Sequence, residues 1–230
     1  MARERTFRWI VRGVFWTGLL YTYLAIFRQP AFAPYRFLLE NLFLAYIPVE
    51  LSFHLEEKTP RVVFWAVFAV WFFFYPNAPY MLTDFFHLAK YDPYILRPDG
   101  ARTGLLRPDM RMWAMFVNMS ALALFCTFVG ILSMHRVVSA LLQRFGRWTM
   151  CWQATLVLVV TTAASVGIYL GRFPRLHTAH LVTRPVATAK LLSSIWDLRL
   201  LEFVVMLTAL QMAVWGLLLL LRAAPSRNGG

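Results

Sequence analysis

Cysteine and acidic residues are both scarce in this sequence. Its 230 residues include two cysteines, Cys126 and Cys151, and 11 Asp or Glu against 23 Lys or Arg. Both cysteines fall in apolar segments at different depths, so we expect small core residues and neither a disulfide framework nor a cysteine metal site. The GxSxG, HExxH, Walker and dinucleotide glycine patterns are also missing, which leaves catalysis by a serine or cysteine nucleophile without support.

Apolar residues are abundant instead. They make up 60% of the chain, with 17% aromatic residues, and the mean hydropathy is +0.57. This composition is far too apolar for a soluble domain and predicts an all-α, polytopic membrane protein. The net charge of +12 lies in tails and loops, where attraction to anionic lipid headgroups explains it without a nucleic-acid partner.

The apolar segments predict one transmembrane domain, 1–230, with about six helices, since about 20 apolar residues cross a bilayer. The first segment follows a basic leader and is predicted to be a retained anchor, because it is longer and more aromatic than a signal-peptide core. The segment 185–196 has the pattern of a helix lying on the membrane surface. The predicted crossings are 9–27, 37–55, 62–87, 112–134, 148–171 and 200–221.

The third crossing contains two prolines where a membrane helix should still be apolar. Pro76 comes about 21 Å along a crossing of about 30 Å, and broken backbone at that depth needs protein or water around it. Either a kinked helix continues, or the helix stops at Tyr75 and restarts with Asn77 as N-cap and Pro79 in its first turn. A plain kinked helix end in the headgroup layer is the alternative. The polar residues that share one helical face here are Asn77, Tyr80, Asp84 and His87.

Six crossings place four helix ends on one membrane side: the start of helix two, the end of helix three, the end of helix five and the start of helix six. Polar residues at these ends can therefore meet, and we predict a site where they converge. The candidate ligand-binding residues are Asn41, Asn77, Tyr80, Thr83, Tyr169 and Arg172, with Glu40, Asp197 and Arg199 at the same ends.

Several of these side chains have recognisable chemistry. A carboxylate orients an imidazole and raises its basicity, so Asp84 and His87 are candidate catalytic residues, although a helix-end ion pair explains them equally well. Arg172 can clamp a phosphate or carboxylate at two points, or simply extend to the interface. His177 and His180 could join Asp84 and His87 as zinc ligands, but this spacing is unspecific, and we predict neither a metal nor a cofactor.

Other patterns concern the connections between helices. The sequence LRPD occurs at 96–99 and again at 106–109, which predicts two turns, with Asp109 capping the fourth helix. A short basic linker is predicted at 135–147. Small residues recur every four positions in the fifth helix and would let another helix approach closely; they are Ala163, Gly167 and Gly171.

Basic residues indicate the orientation. The side that carries both ends holds eleven Lys or Arg on about 41 residues of tail and loop, against twelve on about 66 residues across the membrane. This density, together with the leading arginines, predicts cytoplasmic ends.

Three stretches resemble a bacterial integral-membrane family known as a domain of unknown function, numbered thirteen sixty-one. They are 40–48 (ENLFLAYIP), 75–84 (YPNAPYMLTD) followed by His87, and 167–173 (GIYLGRF). After this last piece family members tend to continue with an Arg-Trp-Asn-Ser-Trp-Asp-like stretch, whereas this chain reads PRLHTAH at 174–180. The resemblance implies a multi-helix protein of the bacterial inner membrane and names no substrate.

Three functions fit this sequence. The first is binding or transport of an anionic lipid headgroup or a small anion at the polar cluster. The second is a membrane-embedded hydrolase or transferase on lipid-linked substrates, with His87 as base and Asp84 as its partner. The third is a non-catalytic assembly subunit, which requires only the helix-packing features.

Overall fold

The computed structural model describes residues 2–28, 30–90, 93–146, 149–175 and 193–223, together with Thr183, Val186 and Lys190. Its regular structure is almost entirely helical, which confirms the predicted fold class. The helices are α1 (Ala2–Arg28), α2 (Phe37–Ser52), α3 (Arg61–Phe74), α4 (Asn77–Tyr80), α5 (Met110–Arg144), α6 (Met150–Arg172) and α7 (Leu198–Ala223), and 3₁₀ helices cover Pro30–Tyr35 and Met81–Lys90.

Five helical segments are long and apolar enough to cross a membrane: Glu4–Arg28, Arg61–Ala89, Met110–Arg144, Met150–Arg172 and Leu198–Ala223. The predicted second crossing is shorter, because α2 has 16 residues and a length of about 24 Å. Large apolar side chains cover the outside of the bundle; on α7, Leu201, Met206 and Leu220 are more than half exposed. A surface of this kind is stable in lipid, and the chain is a multi-pass membrane protein.

The fourth predicted helix is longer than expected. Helix α5 continues to Arg144, so the linker predicted at 135–147 is wrong over most of its length. Val137, Val138 and Leu142 are buried and continue the apolar face of the helix. The helix ends only where Gly146 adopts a φ of +63° and its N–H bonds to the Gln143 carbonyl.

The interrupted third crossing passes from one hydrophobic core to another. Before the break, Trp71 and Tyr75 pack with α6, α7 and the second half of α5. After it, Ala78 and Met81 pack with α1, α2 and the first half of α5. The break at Pro76 therefore joins the two halves of the bundle.

A β-hairpin stands between the broken segment and α5, and the sequence did not predict its strands. Strands β1 (Tyr94–Leu96) and β2 (Arg102–Leu106) pair antiparallel. The first LRPD forms the hairpin turn, in which Gly100 has a φ of +82°. The second LRPD leads into α5, where the Asp109 carboxylate accepts the Arg111 N–H at 2.9 Å and confirms the predicted cap.

Two smaller predictions have different outcomes. Cys126 is buried, as predicted, but Cys151 is exposed, so its assignment to the core is wrong. It lies in the first turn of α6. Half of the predicted surface helix at 185–196 lies outside the described residues, so the prediction stays untested.

Ion pairs join the beginning of α1 to the end of α2, to the loop that follows α2 and to α5. Arg12 pairs with Glu50 and Arg8 with Glu56, and Arg136 of α5 bonds to Glu4 at 2.6 Å. These contacts place the start of α1 beside the end of α2, so the two helices run antiparallel.

Candidate functional site

A buried carboxylate lies at the centre of the polar cluster. Asp84 is 1% exposed. The Asn41 amide of α2 donates to its Oδ2 at 2.8 Å, and Arg172 Nη1 of α6 lies 3.5 Å from its Oδ1. Three segments distant in sequence thus meet at one carboxylate, and the guanidinium compensates its charge.

Arg172 is held by more than this ion pair. Its Nη2 donates to the Thr83 carbonyl at 2.7 Å and lies 3.3 Å from His87 Nδ1. A guanidinium can only donate, so Nδ1 acts as the acceptor and we assign the imidazole proton to Nε2. The guanidinium also lies 5.9 Å from the centre of the Tyr80 ring. The side chains of Arg172 and His87 keep 17% and 25% of their surface exposed.

The start of α2 completes the surroundings of His87. The Tyr35 hydroxyl donates to the His87 carbonyl at 3.2 Å, and the Phe37 ring lies 4.2 Å from the imidazole. Sequence reasoning missed both residues, because aromatic side chains are common throughout this chain and nothing marks these two. Only their position in the sequence, within six residues of Asn41, could have suggested them.

The broken backbone explains why Asn77 does not join the cluster. Helix α3 ends at Phe74 and α4 begins at Asn77, so the restart is correct, but Pro76 holds the N-cap position predicted for Asn77. Ala78 N–H donates to the Tyr75 carbonyl, and the Asn77 side chain turns back to the Phe74 carbonyl at 2.9 Å. The Asn77 amide thus satisfies a backbone acceptor that the break leaves without its helical partner.

Three further candidates also lie apart from Asp84. Tyr169 packs against Phe173 and Phe203, with ring centres 4.7 and 5.5 Å away. Asp197 caps α7 by accepting the Leu200 N–H at 2.9 Å. Glu40 is exposed on a different face of α2.

Glycines bring the broken segment against its neighbours. A Cβ added to Gly167 of α6 would lie 3.2 Å from Pro76 Cγ, and one on Gly171 would lie 3.6 Å from the Tyr80 ring. The small residues of α6 therefore allow the broken segment to pack closely against this helix. A Cβ on Gly130 of α5 would lie 2.5 Å from Ala78 Cβ, a closer approach that sequence reasoning missed because Gly130 belongs to no repeat.

Only two of the four residues considered as zinc ligands are placed. His177 and His180 lie outside the described residues, so a site that combines them with Asp84 and His87 is untested. Among the residues that the structure describes, no three His, Cys, Asp or Glu side chains are grouped so that they could hold a metal ion.

Comparison with known proteins gives one match. A family model described as "Protein of unknown function (DUF1361)" matches residues 40–214, more than half of the chain, and confirms the resemblance seen in the sequence. No curated protein and no solved structure matches the chain.

Proposed function

Because the chain belongs to the family described as a protein of unknown function (DUF1361), its activity has to be inferred from its site, and we propose that it binds or transports an anionic lipid headgroup or a small anion at Arg172. The observation that carries the proposal is the fixed, partly exposed guanidinium. It has five N–H donors, and its contacts with Asp84, Thr83 and His87 use three. Within the described part of the chain, Nε and one Nη1 hydrogen are left for a ligand oxygen.

The surroundings favour an anion. Asp84 is already engaged by Asn41 and Arg172, so its charge is compensated inside the protein. The hairpin and its connection to α5, the first turn of α5, the end of α6 and the start of α7 add several arginines, which raise the local concentration of anions. These are Arg97, Arg102, Arg107, Arg111, Arg175 and Arg199.

The break in the third crossing extends the proposal to transport. Discontinuous membrane helices often surround the binding sites of transporters, because their irregular backbone is tolerated only where protein or a cavity surrounds it. Here Thr83, just after the break, supplies the carbonyl that holds Arg172. A shift of the broken segment would therefore move the guanidinium as well.

The enzymatic alternative has less geometric support. An Asp that orients a catalytic His should hydrogen-bond to it, whereas Asp84 Oδ1 lies 3.8 Å from His87 Nδ1. The nearer group is the Arg172 guanidinium, at 3.3 Å. His87 is therefore an acceptor for Arg172 in this arrangement.

Binding is tested with the double variant Asp84→Asn/Arg172→Gln, which removes both charges and leaves no buried carboxylate unpaired. We expect its affinity for phosphatidylglycerol, or for inorganic phosphate, to fall at least about tenfold, as for loss of a charge-assisted contact. Native mass spectrometry measures the lipid and a thermal-shift titration measures phosphate. A response to the lipid alone indicates a headgroup site, and a response to phosphate indicates a small anion.

The matched control is Arg199→Gln, which removes one positive charge from an exposed position at the start of α7. Because Arg199 contributes only to the diffuse positive field and contacts no group of the site within the described residues, this control should lose no more than about twofold in affinity. Equal affinity in the double variant and in wild type, for both probes, would exclude Arg172 as the ligand-binding residue.

We also propose a bacterial inner-membrane location with cytoplasmic ends. The density of basic residues supports it. A green fluorescent protein fused after Ala223 should fluoresce, and alkaline phosphatase inserted at Gly100, in the hairpin turn, should be active. The opposite pattern of activities in a bacterial host would reverse the orientation.

A further inference from the structure

The second face of α2 carries a groove that is separate from the polar cluster. Glu40 and Asn41 are consecutive, so their side chains point about 100° apart around the helix. Asn41 bonds to Asp84, whereas Glu40 is exposed in a groove of about 540 Å³ between α1 and α2. The rings of Trp16, Tyr23 and Phe43 line this groove, and each is about half exposed.

One charged group, the Glu40 carboxylate, lies at this groove without an ionic partner in the described part of the chain. Within the described residues, no ion pair or hydrogen bond engages the Glu40 carboxylate. Arg36, one helical turn earlier, lies beside the groove and not in its lining: its guanidinium is 5.3 Å from the centre of the Phe27 ring, which lies 4.4 Å from the ring of the groove-lining Tyr23. Arg36 also forms no ion pair within the described residues. The two positions are separated by a rise of about 6 Å along α2. A ligand in the groove would therefore meet a negative group in its lining and a positive group at its rim.

The depth of the groove suits a lipid headgroup. Arg28 is the last residue of α1 and Arg36 immediately precedes α2, so the two arginines flank the connection between these helices. Glu40 lies about 6 Å further in, and the interfacial layer of a bilayer is about 5–7 Å thick on each side. The carboxylate is therefore near the boundary between headgroups and hydrocarbon, with an aromatic wall beside it.

We propose that this groove binds a zwitterionic amino-phospholipid, with phosphatidylethanolamine as the fitting class. Glu40 would accept from the ammonium group, and the Trp16 and Tyr23 rings would attract it through their π faces. Arg36 would hold the phosphate, and an acyl chain would lie along Leu20 and Phe43. An anionic lipid such as phosphatidylglycerol offers no cation and would bring its phosphate near the Glu40 carboxylate, so the groove discriminates against it.

The test compares Glu40→Gln with wild type by native mass spectrometry in the presence of phosphatidylethanolamine and, separately, phosphatidylglycerol. We expect the affinity for phosphatidylethanolamine to fall about tenfold, while that for phosphatidylglycerol stays equal or rises. A second variant, Trp16→Leu, keeps the carboxylate and should lower the affinity for phosphatidylethanolamine about threefold. The matched control is Glu57→Gln, which makes the same change at an exposed loop position and should have no effect.

Three outcomes would overturn the proposal. They are unchanged phosphatidylethanolamine binding by Glu40→Gln, an equal loss of both lipids, and a lower unfolding midpoint of Glu40→Gln, which would show that the carboxylate has a structural partner. The Asp84→Asn/Arg172→Gln variant should retain phosphatidylethanolamine, because its altered side chains lie on the other face of α2. The proposal for the groove and the proposal for the anion site are therefore tested independently of each other.

Discussion

Replacing Gly130 by alanine should lower the free energy of unfolding by about 2 kcal/mol, as expected for overpacking of a tight core. The new methyl group would lie 2.5 Å from Ala78 Cβ and 3.8 Å from Ala78 Cα. Ala78 is fully buried and has no rotamer with which to avoid the contact, so α5 and the broken segment must separate. Equilibrium unfolding in mixed detergent, followed by tryptophan fluorescence, measures the change.

Gly216→Ala is the control for this substitution. A Cβ at this position in α7 meets nothing within 4 Å, so the variant should be as stable as wild type or slightly more so, since alanine favours a helix. Ala78→Gly in the Gly130→Ala background removes the opposing methyl group and should restore part of the lost stability. If Gly130→Ala and Gly216→Ala are equally stable, α5 and the broken segment are not in the close contact described above.

Arg172→Gln should cost about 3 kcal/mol of unfolding free energy, because it leaves the buried Asp84 carboxylate without its cation. The same substitution also removes the donor to the Thr83 carbonyl. Adding Asp84→Asn should recover most of this loss, since a neutral amide needs no counter-charge. The four proteins of this double-mutant cycle, unfolded in detergent, give the coupling energy directly.

Two observations from this cycle would count against the buried pair. One is an Arg172→Gln protein as stable as wild type. The other is a double variant no more stable than Arg172→Gln, which would mean that the damage comes from lost packing and not from the carboxylate. Arg199→Gln is again the matched control, because it removes an exposed arginine from the same end of the bundle.

Some of the candidate site followed from sequence and some did not. The predicted alternation of six crossings groups the beginning of α2 with the ends of the third crossing and of α6, which is why Asn41, Asp84 and Arg172 could be grouped in advance. Their hydrogen bonds could not be predicted. Helical spacing assigned Asn77 to the same cluster. The proline break, however, leaves the Phe74 carbonyl nearby, and the Asn77 side chain bonds to that carbonyl instead.

The adjacent residues Glu40 and Asn41 illustrate the same limit. Both are polar and begin the same helix, and sequence alone assigns both to one interface. The direction in which each points depends on the rotation of α2, which is set by the packing of Leu38, Leu42 and Ala45 in the first core. That rotation sends Asn41 to Asp84 and Glu40 to the groove beside α1.

The sequence by itself determined the membrane class, the family, the presence of several long apolar helices and the interruption at Pro76, because each depends on local composition or on short patterns along the chain. Only the tertiary structure decided that Gly130 packs against Ala78 and that Arg172 contacts Asp84, Thr83 and His87. It also decided that the broken segment packs in both hydrophobic cores. These contacts join residues tens of positions apart. They depend on helix rotation and depth, which hydropathy leaves open.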